Sequence, residues 1–206
     1  MKTVYVRPER CIGCKQCEIA CTVEHSRTKN LYSAIFEEPL PTPRVAVMPT
    51  FGIMTYPAKC RHCDPTPCIQ VCPSGAITRD KETDTILLNE EKCIACGMCS
   101  IVCPFDAVTF YPSWHVSIDR QVAIKCDNCS ERVINGLNPA CVDACKTEAL
   151  VYGEISDIVK EGRKIVAKKV AAAEFAAEAK IEAEVPELLT LLRDMSLSMK
   201  LAGEKE

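Results

Sequence analysis

Residues 93–104 read CIACGMCSIVCP, so that Cys93, Cys96, Cys99 and Cys103 stand within eleven positions and Pro104 follows at once. This spacing constrains the chain more than any other stretch. Two residues between successive cysteines let one tight loop wrap three thiolates round a compact iron-sulfur cluster. Three residues before the fourth make a helical turn that carries Cys103 away, to serve a second cluster. One such run leaves its own cluster a ligand short, so it demands a partner.

Three partners are present. Cys11, Cys14, Cys17 and Cys21 repeat the spacing, with Thr22 where Pro104 stands. Cys60, Cys63, Cys68 and Cys72 follow with an enlarged gap holding Pro65 and Pro67, and they end in Cys-Pro at Pro73. The last group is split: Cys126 and Cys129 are separated by SERVINGLNPA from Cys141 and Cys145, and Lys146 comes next. Small apolar chain follows three of the four, at Ala76-Ile77-Thr78, Ala107-Val108-Thr109 and Ala149-Leu150-Val151. One unit of cysteine loop, turn and strand is therefore used four times.

The pairing follows from likeness. The second and third motifs lie close in the chain and share the Cys-Pro ending, which suits an inner unit. The first and fourth lack it and would form an outer unit around the inner one. Exchange of the fourth cysteine within each pair then gives four ligand sets. The outer sets are Cys11, Cys14 and Cys17 with Cys145, and Cys126, Cys129 and Cys141 with Cys21. The inner sets are Cys60, Cys63 and Cys68 with Cys103, and Cys93, Cys96 and Cys99 with Cys72.

Composition narrows the chemistry. Aromatic residues make up only 5% of a chain with sixteen cysteines, so large side chains do not fill the interior. The opening MKTVYVRPERC has no charged leader, long apolar run or twin-arginine signal, and a cytoplasmic protein is expected. Cytosolic thiols stay reduced, which speaks against eight disulfides. Zinc prefers two separated cysteine pairs in a tetrahedral set, which explains neither the run of three plus one nor its repetition. A net charge of -3 suggests neither nucleic acid nor an anionic membrane surface as partner, and no apolar run is long enough to span a bilayer.

Strands are expected at TVYV, SGAIT, TILLN and AVTFY. The cysteine-free insertion at 22–59, with prolines at 39, 41, 43, 49 and 57, is expected to be irregular or extended, with strand at Arg44 to Met48. SERVINGLNPA reads as a surface loop.

Four cysteine groups, the second enlarged and the fourth split, resemble the four-cluster subunits of modular oxidoreductases of the dimethyl sulfoxide reductase and formate dehydrogenase type. Within that group YVRPERCIGCKQCEIAC, KCRHCDPTPC and KCDNC look most like the iron-sulfur proteins associated with carbon monoxide dehydrogenase. Hydrogenase and formate-hydrogenlyase subunits are near relatives. The resemblance spans roughly residues 1–153. It implies an α+β fold of two ferredoxin-like 2[4Fe-4S] units, one inserted in the other, with four [4Fe-4S] clusters. The outer unit would take 1–30 and 120–153, the inner one 55–112, and a helical extension 154–206.

A body of this size has a radius of gyration of roughly 15 Å, too wide for one tunnelling step, and four clusters would subdivide it. The chain thus reads as a wire and not as an enzyme. Its ends would meet a catalytic oxidoreductase (carbon monoxide dehydrogenase, hydrogenase or formate dehydrogenase) and a flavin- or hydrogenase-type acceptor in an anaerobic metabolism. The other class that fits is a free polyferredoxin carrier. All-thiolate ligation implies low potentials. Lys59, Arg61, His62, Lys92 and Lys125 flank ligands, either to offset cluster charge or as solvated bases. His25, His62 and His115 belong to no catalytic pattern, and Trp114 is either local packing or an anchor for a partner. No nucleotide-binding signature is present.

Beyond residue 153 the chain reads as helix. Ser156 would cap it, and Ile158, Val159, Ile165, Val166 and Val170 recur near helical spacing. Basic residues (Lys160, Arg163, Lys164, Lys168, Lys169) precede acidic ones (Glu174, Glu178, Glu182, Glu184, Glu187), against the helix macrodipole. After Pro186 comes a second apolar stripe, Leu188, Leu192, Met195 and Met199. Antiparallel self-association, or docking on a partner, would place the two charge halves against opposite charges. Truncation after Gly153 should leave cluster content unchanged while the native assembly falls to a smaller species by light scattering. An unchanged assembly would deny the segment this role.

Overall fold

The computed structural model describes residues 2–116 and 120–175, and the chain divides into two units, Met1–Ile155 and Ser156–Glu206. Among the described residues the first unit is α+β, built from four two-stranded antiparallel sheets and short helices.

Its first and last strands pair with each other. β1 (Lys2–Val6) runs antiparallel to β8 (Leu150–Glu154), with Lys2 opposite Glu154 and Val6 opposite Leu150. The expected TVYV strand lies inside β1, where Val4 and Val6 alternate inward with period two. The other sheets are hairpin pairs: β2 (Val45–Pro49) with β3 (Thr55–Lys59), β4 (Ile77–Arg79) with β5 (Ile86–Leu88), and β6 (Thr109–Pro112) with β7 (Gln121–Ile124).

Each motif supplies one helix whose second residue is its third cysteine. These are Cys17 in α1 (Gln16–Glu24), Cys68 in α3 (Pro67–Gln70), Cys99 in α4 (Met98–Ile101) and Cys141 in α6 (Ala140–Asp143). α1 packs on α6 and α3 on α4, so helices of the first and fourth motifs meet, as do those of the second and third.

Two apolar cores match this division. One joins Ala76, Ile77, Ile86, Val108, Val122, Ala123 and Ile124 with Cys93 and Cys99. The other joins Val4, Val6, Val45, Val47 and Leu150 with Cys17, Cys21 and Cys141. β7, which the sequence assigns to the outer segment from 120 onward, pairs with β6 and packs in the first of these cores.

Three stretches are more ordered than their sequence suggests. The insertion carries the one-turn helix α2 (Leu31–Ala34), capped by the Asn30 side chain, and its prolines 49 and 57 sit within a regular hairpin. Pro49 and Pro57 lie in a sheet of only two strands, where an absent N–H costs no central ladder bond. The expected loop SERVINGLNPA opens with α5 (Ser130–Ile134).

In the second unit the described residues 156–175 are helical, and residue 155 is already helical, which puts Ser156 in the first turn instead of at the cap. Val166, Val170 and Phe175 are exposed on this helix. The late acidic cluster after Glu174, Pro186 and the second stripe from Leu188 to Met199 lie outside the described residues.

Cysteines complete both cores, and aromatics contribute little to either. Stripping metal by chelation and oxidation should therefore abolish the near-UV circular dichroism of the 1–155 unit. Native-like tertiary signal in the stripped protein would contradict this dependence.

Candidate metal centres

The four cysteine loops share one backbone device. The second residue between the paired cysteines is left-handed in each: Gly13 (φ 71°), His62 (φ 52°), Ala95 (φ 56°) and Asn128 (φ 53°). This turns the chain so that consecutive thiols can converge on one point while amides point inward. Space is tightest at Gly13, where an added Cβ would come within 3.1 Å of Thr55 Cγ2. A second left-handed residue stands three places after the last cysteine at Gly75, Asp106 and Glu148, each donating its N–H to that cysteine's carbonyl at 3.3 Å. The first motif has no such turn, because α1 runs on through Cys21 to Glu24.

All sixteen cysteines are free thiols. Cys11, Cys14, Cys17 and Cys145 line one small cavity, and Cys72, Cys93, Cys96 and Cys99 line another. Cys21 lies beside Cys126 and Cys129, and Cys141 beside all three. Cys68 lies beside Cys60 and Cys103, with Cys63 in the same loop as Cys60. In every group, thiols far apart in sequence come together. Cys14 and Cys96 are exposed, whereas Cys126, Cys129, Cys141 and Cys21 are buried.

Burial penalises a lone thiolate. It pushes Cys17 and Cys99 up to about 11 and Cys129 up to about 12, and it holds Cys21, Cys126 and Cys141 above the usual thiol range as well. Cys72 goes the other way. Burial would raise it, but the Ser74 hydroxyl and the amides of Ile77, Ala76 and Ser74 outweigh that and lower it.

Donors to sulfur recur. Amides of Arg44, Ala95, Ala107, Ala123 and Asn128 point at Cys21, Cys93, Cys103, Cys93 and Cys126 over 3.2, 3.4, 3.4, 3.4 and 3.5 Å. The Thr55 hydroxyl donates to Cys11 Sγ at 3.1 Å. Convergent, unbridged sulfurs, most of them buried or half-buried, with N–H and O–H donors aimed at them fit iron-sulfur clusters, whose thiolates need both metal charge and hydrogen bonds. When bound, such clusters take up and release one electron at a time.

Several supporting residues carry no sequence signal. Asp127 accepts from Arg44 (2.8 Å), from the Cys129 amide (2.9 Å) and from His25, whose Nε2 is 3.1 Å away. Burial would raise the Asp127 carboxyl, yet the His25 and Arg44 contacts hold it well below the usual range. His25, isolated in sequence, has Nδ1 2.8 Å from the Cys21 carbonyl and so ties α1 to the fourth loop. Its place four residues after Cys21 on one helix was the available clue. Arg79 clamps the second loop through the Cys63 carbonyl at 2.6 Å and Asp84 at 2.7 Å.

Among the flanking bases, Lys59, His62 and Lys125 are buried and Lys92 is exposed. The Arg61 guanidinium lies 5.6 Å from the ring centres of Tyr56 and Phe105. Trp114 stacks on His115, with ring centres 3.6 Å apart.

Fold and site together define an iron-sulfur electron-transfer protein with several clusters. Residues 51–155 match the 4Fe-4S dicluster domain, and residues 8–24 a 4Fe-4S binding domain. The chain belongs to the 4Fe-4S dicluster family and carries multiple [4Fe-4S] clusters. It is 38% identical over 151 residues to the electron transport protein HydN of Escherichia coli K12, covering 69% of this chain and 82% of HydN. An iron-sulfur protein of Rhodospirillum rubrum is 36% identical over 154 residues, covering 71% and 79%. The polyferredoxin-like subunit of the aliphatic sulfonate oxidoreductase of Pyrococcus furiosus is 33% identical over 142 residues, covering 69% and 70%.

Thr55→Val should lower the potential of the cluster that includes Cys11. One neutral hydrogen bond is about 1 kcal/mol, roughly a fivefold change in its reduction equilibrium. A potentiometric titration followed by EPR reads it, and an unchanged potential would mean that the contact does not reach the cluster.

Proposed function

We propose that this chain is the non-catalytic electron-transfer subunit of an oxidoreductase complex and relays single electrons through four [4Fe-4S] clusters. Their ligands are the four sets formed by fourth-cysteine exchange: Cys11, Cys14, Cys17, Cys145; Cys126, Cys129, Cys141, Cys21; Cys60, Cys63, Cys68, Cys103; and Cys93, Cys96, Cys99, Cys72. The first and fourth motifs make an outer unit and the second and third an inner one. The β1–β8 pairing and the two separate cores support that nesting.

The observation that carries the relay is the exposure of Cys14 and Cys96 alone among the cysteines. They belong to two different sets, one outer and one inner. The other two sets hold only buried or half-buried thiols. That leaves two clusters near the surface as entry and exit and two between them. Next to the exposed cysteines stand Ile12, 71% exposed, and Ile94, 60% exposed, whereas the equivalent residues of the other loops are Arg61 and Asp127, both engaged in contacts. Apolar side chains at the two ends suit contact with redox partners.

At the catalytic end, carbon monoxide dehydrogenase remains the favoured enzyme, on the resemblance of YVRPERCIGCKQCEIAC and KCDNC. A hydrogenase or flavin oxidoreductase is the acceptor, or a hydrogenase or formate dehydrogenase takes the catalytic place. The compartment is the cytoplasm. No helix among the described residues is long and apolar enough to cross a membrane. A free carrier is the second reading, but it needs neither the insertion's exposed Tyr32 and Phe36 nor the second unit.

Anaerobic purification from the native source should recover about sixteen iron and sixteen labile sulfide per chain, co-eluting with a catalytic oxidoreductase. A colourless, zinc-rich product would refute the clusters. Elution of iron-loaded protein as a bare 22.7 kDa monomer would refute the subunit role.

A further inference from the structure

A basic residue stands directly before the first cysteine of every motif: Arg10, Lys59, Lys92 and Lys125. At the first and third loops it faces outward, with Arg10 paired to Glu148 at 2.8 Å and Lys92 exposed. At the second and fourth it is inside, with Lys59 only 3% and Lys125 only 4% exposed. Each buried ammonium donates to the carbonyl of the cysteine that follows, at 3.0 Å in both cases, and Lys125 also donates to the Ile86 carbonyl. Among the described residues neither lysine has a carboxylate within ion-pair distance. A buried cation held only by carbonyl dipoles is costly, and a nearby anion is the usual compensation.

Lys125 reaches the opposite loop: Ile86, whose carbonyl it holds, gives its N–H to His62, between Cys60 and Cys63. Burial raises Cys126 and Cys141, and the Lys59 ammonium pulls against that rise in both. Burial raises Cys68, and the Lys125 ammonium opposes it. Cys60 and Cys126 are themselves close enough to repel as thiolates, so the two loops abut. The His62 Nδ1 accepts the Ile86 N–H at 3.0 Å, and its Nε2 is buried without a partner. Asn128, in the equivalent place of the fourth loop, has neither side-chain atom bonded.

Resting on the ligand sets proposed above, we infer that Lys59 and Lys125 are a crossed pair of internal cations set between the two middle clusters. Lys59 raises the potential of the cluster held by Cys21, Cys126, Cys129 and Cys141, and Lys125 that of the cluster held by Cys60, Cys63, Cys68 and Cys103. Each oxidised cluster with its thiolates carries a charge of roughly -2, and an added electron makes it more negative. Fixed positive charge between two such neighbours favours their reduced forms and weakens their mutual repulsion. The electron then crosses between the two halves of the chain where it is best stabilised. His62 and Asn128 sit in the same two loops, with buried side-chain nitrogens that have no hydrogen-bond partner.

The test is a potentiometric EPR titration of the full-length, fully loaded protein, with each cluster assigned through its own Cys→Ser variant. Lys59→Met should make the Cys126 cluster at least tenfold harder to reduce, about 59 mV more negative for a one-electron couple. Lys125→Met should do the same to the Cys68 cluster. The clusters that include Cys14 and Cys96 should stay put, and Lys→Arg at either position should keep wild-type values. A shift of the opposite loop's cluster supports the proposal whether or not the lysine's own cluster moves too. No shift, a shift confined to the own-loop cluster, or an equal shift of all four overturns it. If a Met variant fails to retain iron, Lys→Gln, which keeps a donor but removes the charge, is read in its place: a more negative opposite-loop cluster upholds the proposal, and wild-type potentials overturn it. Failure of the cluster reading itself would be distinct, since wild-type protein would then fall short of four clusters by iron analysis.

Discussion

Convergence of thiols from distant segments is the constraint on which the rest depends. Cys17 and Cys145 come from near opposite ends of the first unit, yet they line one cavity with Cys11 and Cys14. The backbone meets this demand locally. A left-handed residue folds each paired-cysteine loop, and a helix starting one residue before the third cysteine fixes its direction. The sheets then hold the loops in register. β1 and β8 bring the first motif to the fourth, and the hairpins from β4 to β7 pack the second against the third.

Electrostatics explains why such a body needs metal. Its interior contains thiols whose ionisation burial opposes, a neutral histidine whose pKa burial and two lysines press down to about 2, and two lysines that have no carboxylate partner among the described residues. Taken separately these groups would destabilise a small fold. Iron charge on the sulfurs would reverse that balance and would make metal binding and folding one event. Ion pairs such as Arg132 with Glu24 and Asp143 fasten the outer segments but lie partly in solvent and contribute modestly.

Sequence made the centre legible because cluster ligation dictates spacing. The cysteine groups, the helical turn before each fourth cysteine and the strands after three of them all follow from the repeated unit, and the structure brings those groups together. Local pattern was weaker for the insertion: β2 lies within a residue of the strand expected at Arg44 to Met48, but Pro57 hid its partner β3, since a two-stranded sheet tolerates prolines that a central strand would not. β7 carried no strong strand signal and owes its place to packing in a core made by other segments. Thr55, Arg44 and Asp127 act across the fold, at separations of 44 and 83 residues in their bonds to Cys11 and to each other, and no spacing rule reaches so far. The burial of Lys59 and Lys125 was likewise invisible, because Arg10 and Lys92 occupy the same motif position and remain outside.

The central claim is that a cluster is closed by a cysteine from its partner motif, and Cys145→Ser tests it most directly. The account predicts that its EPR spectrum will show the same altered cluster as Cys11→Ser, leaving the signal altered by Cys126→Ser intact. Alteration of the Cys126 cluster by Cys145→Ser, with the Cys11 cluster unchanged, would contradict the exchange and with it the architecture of the relay.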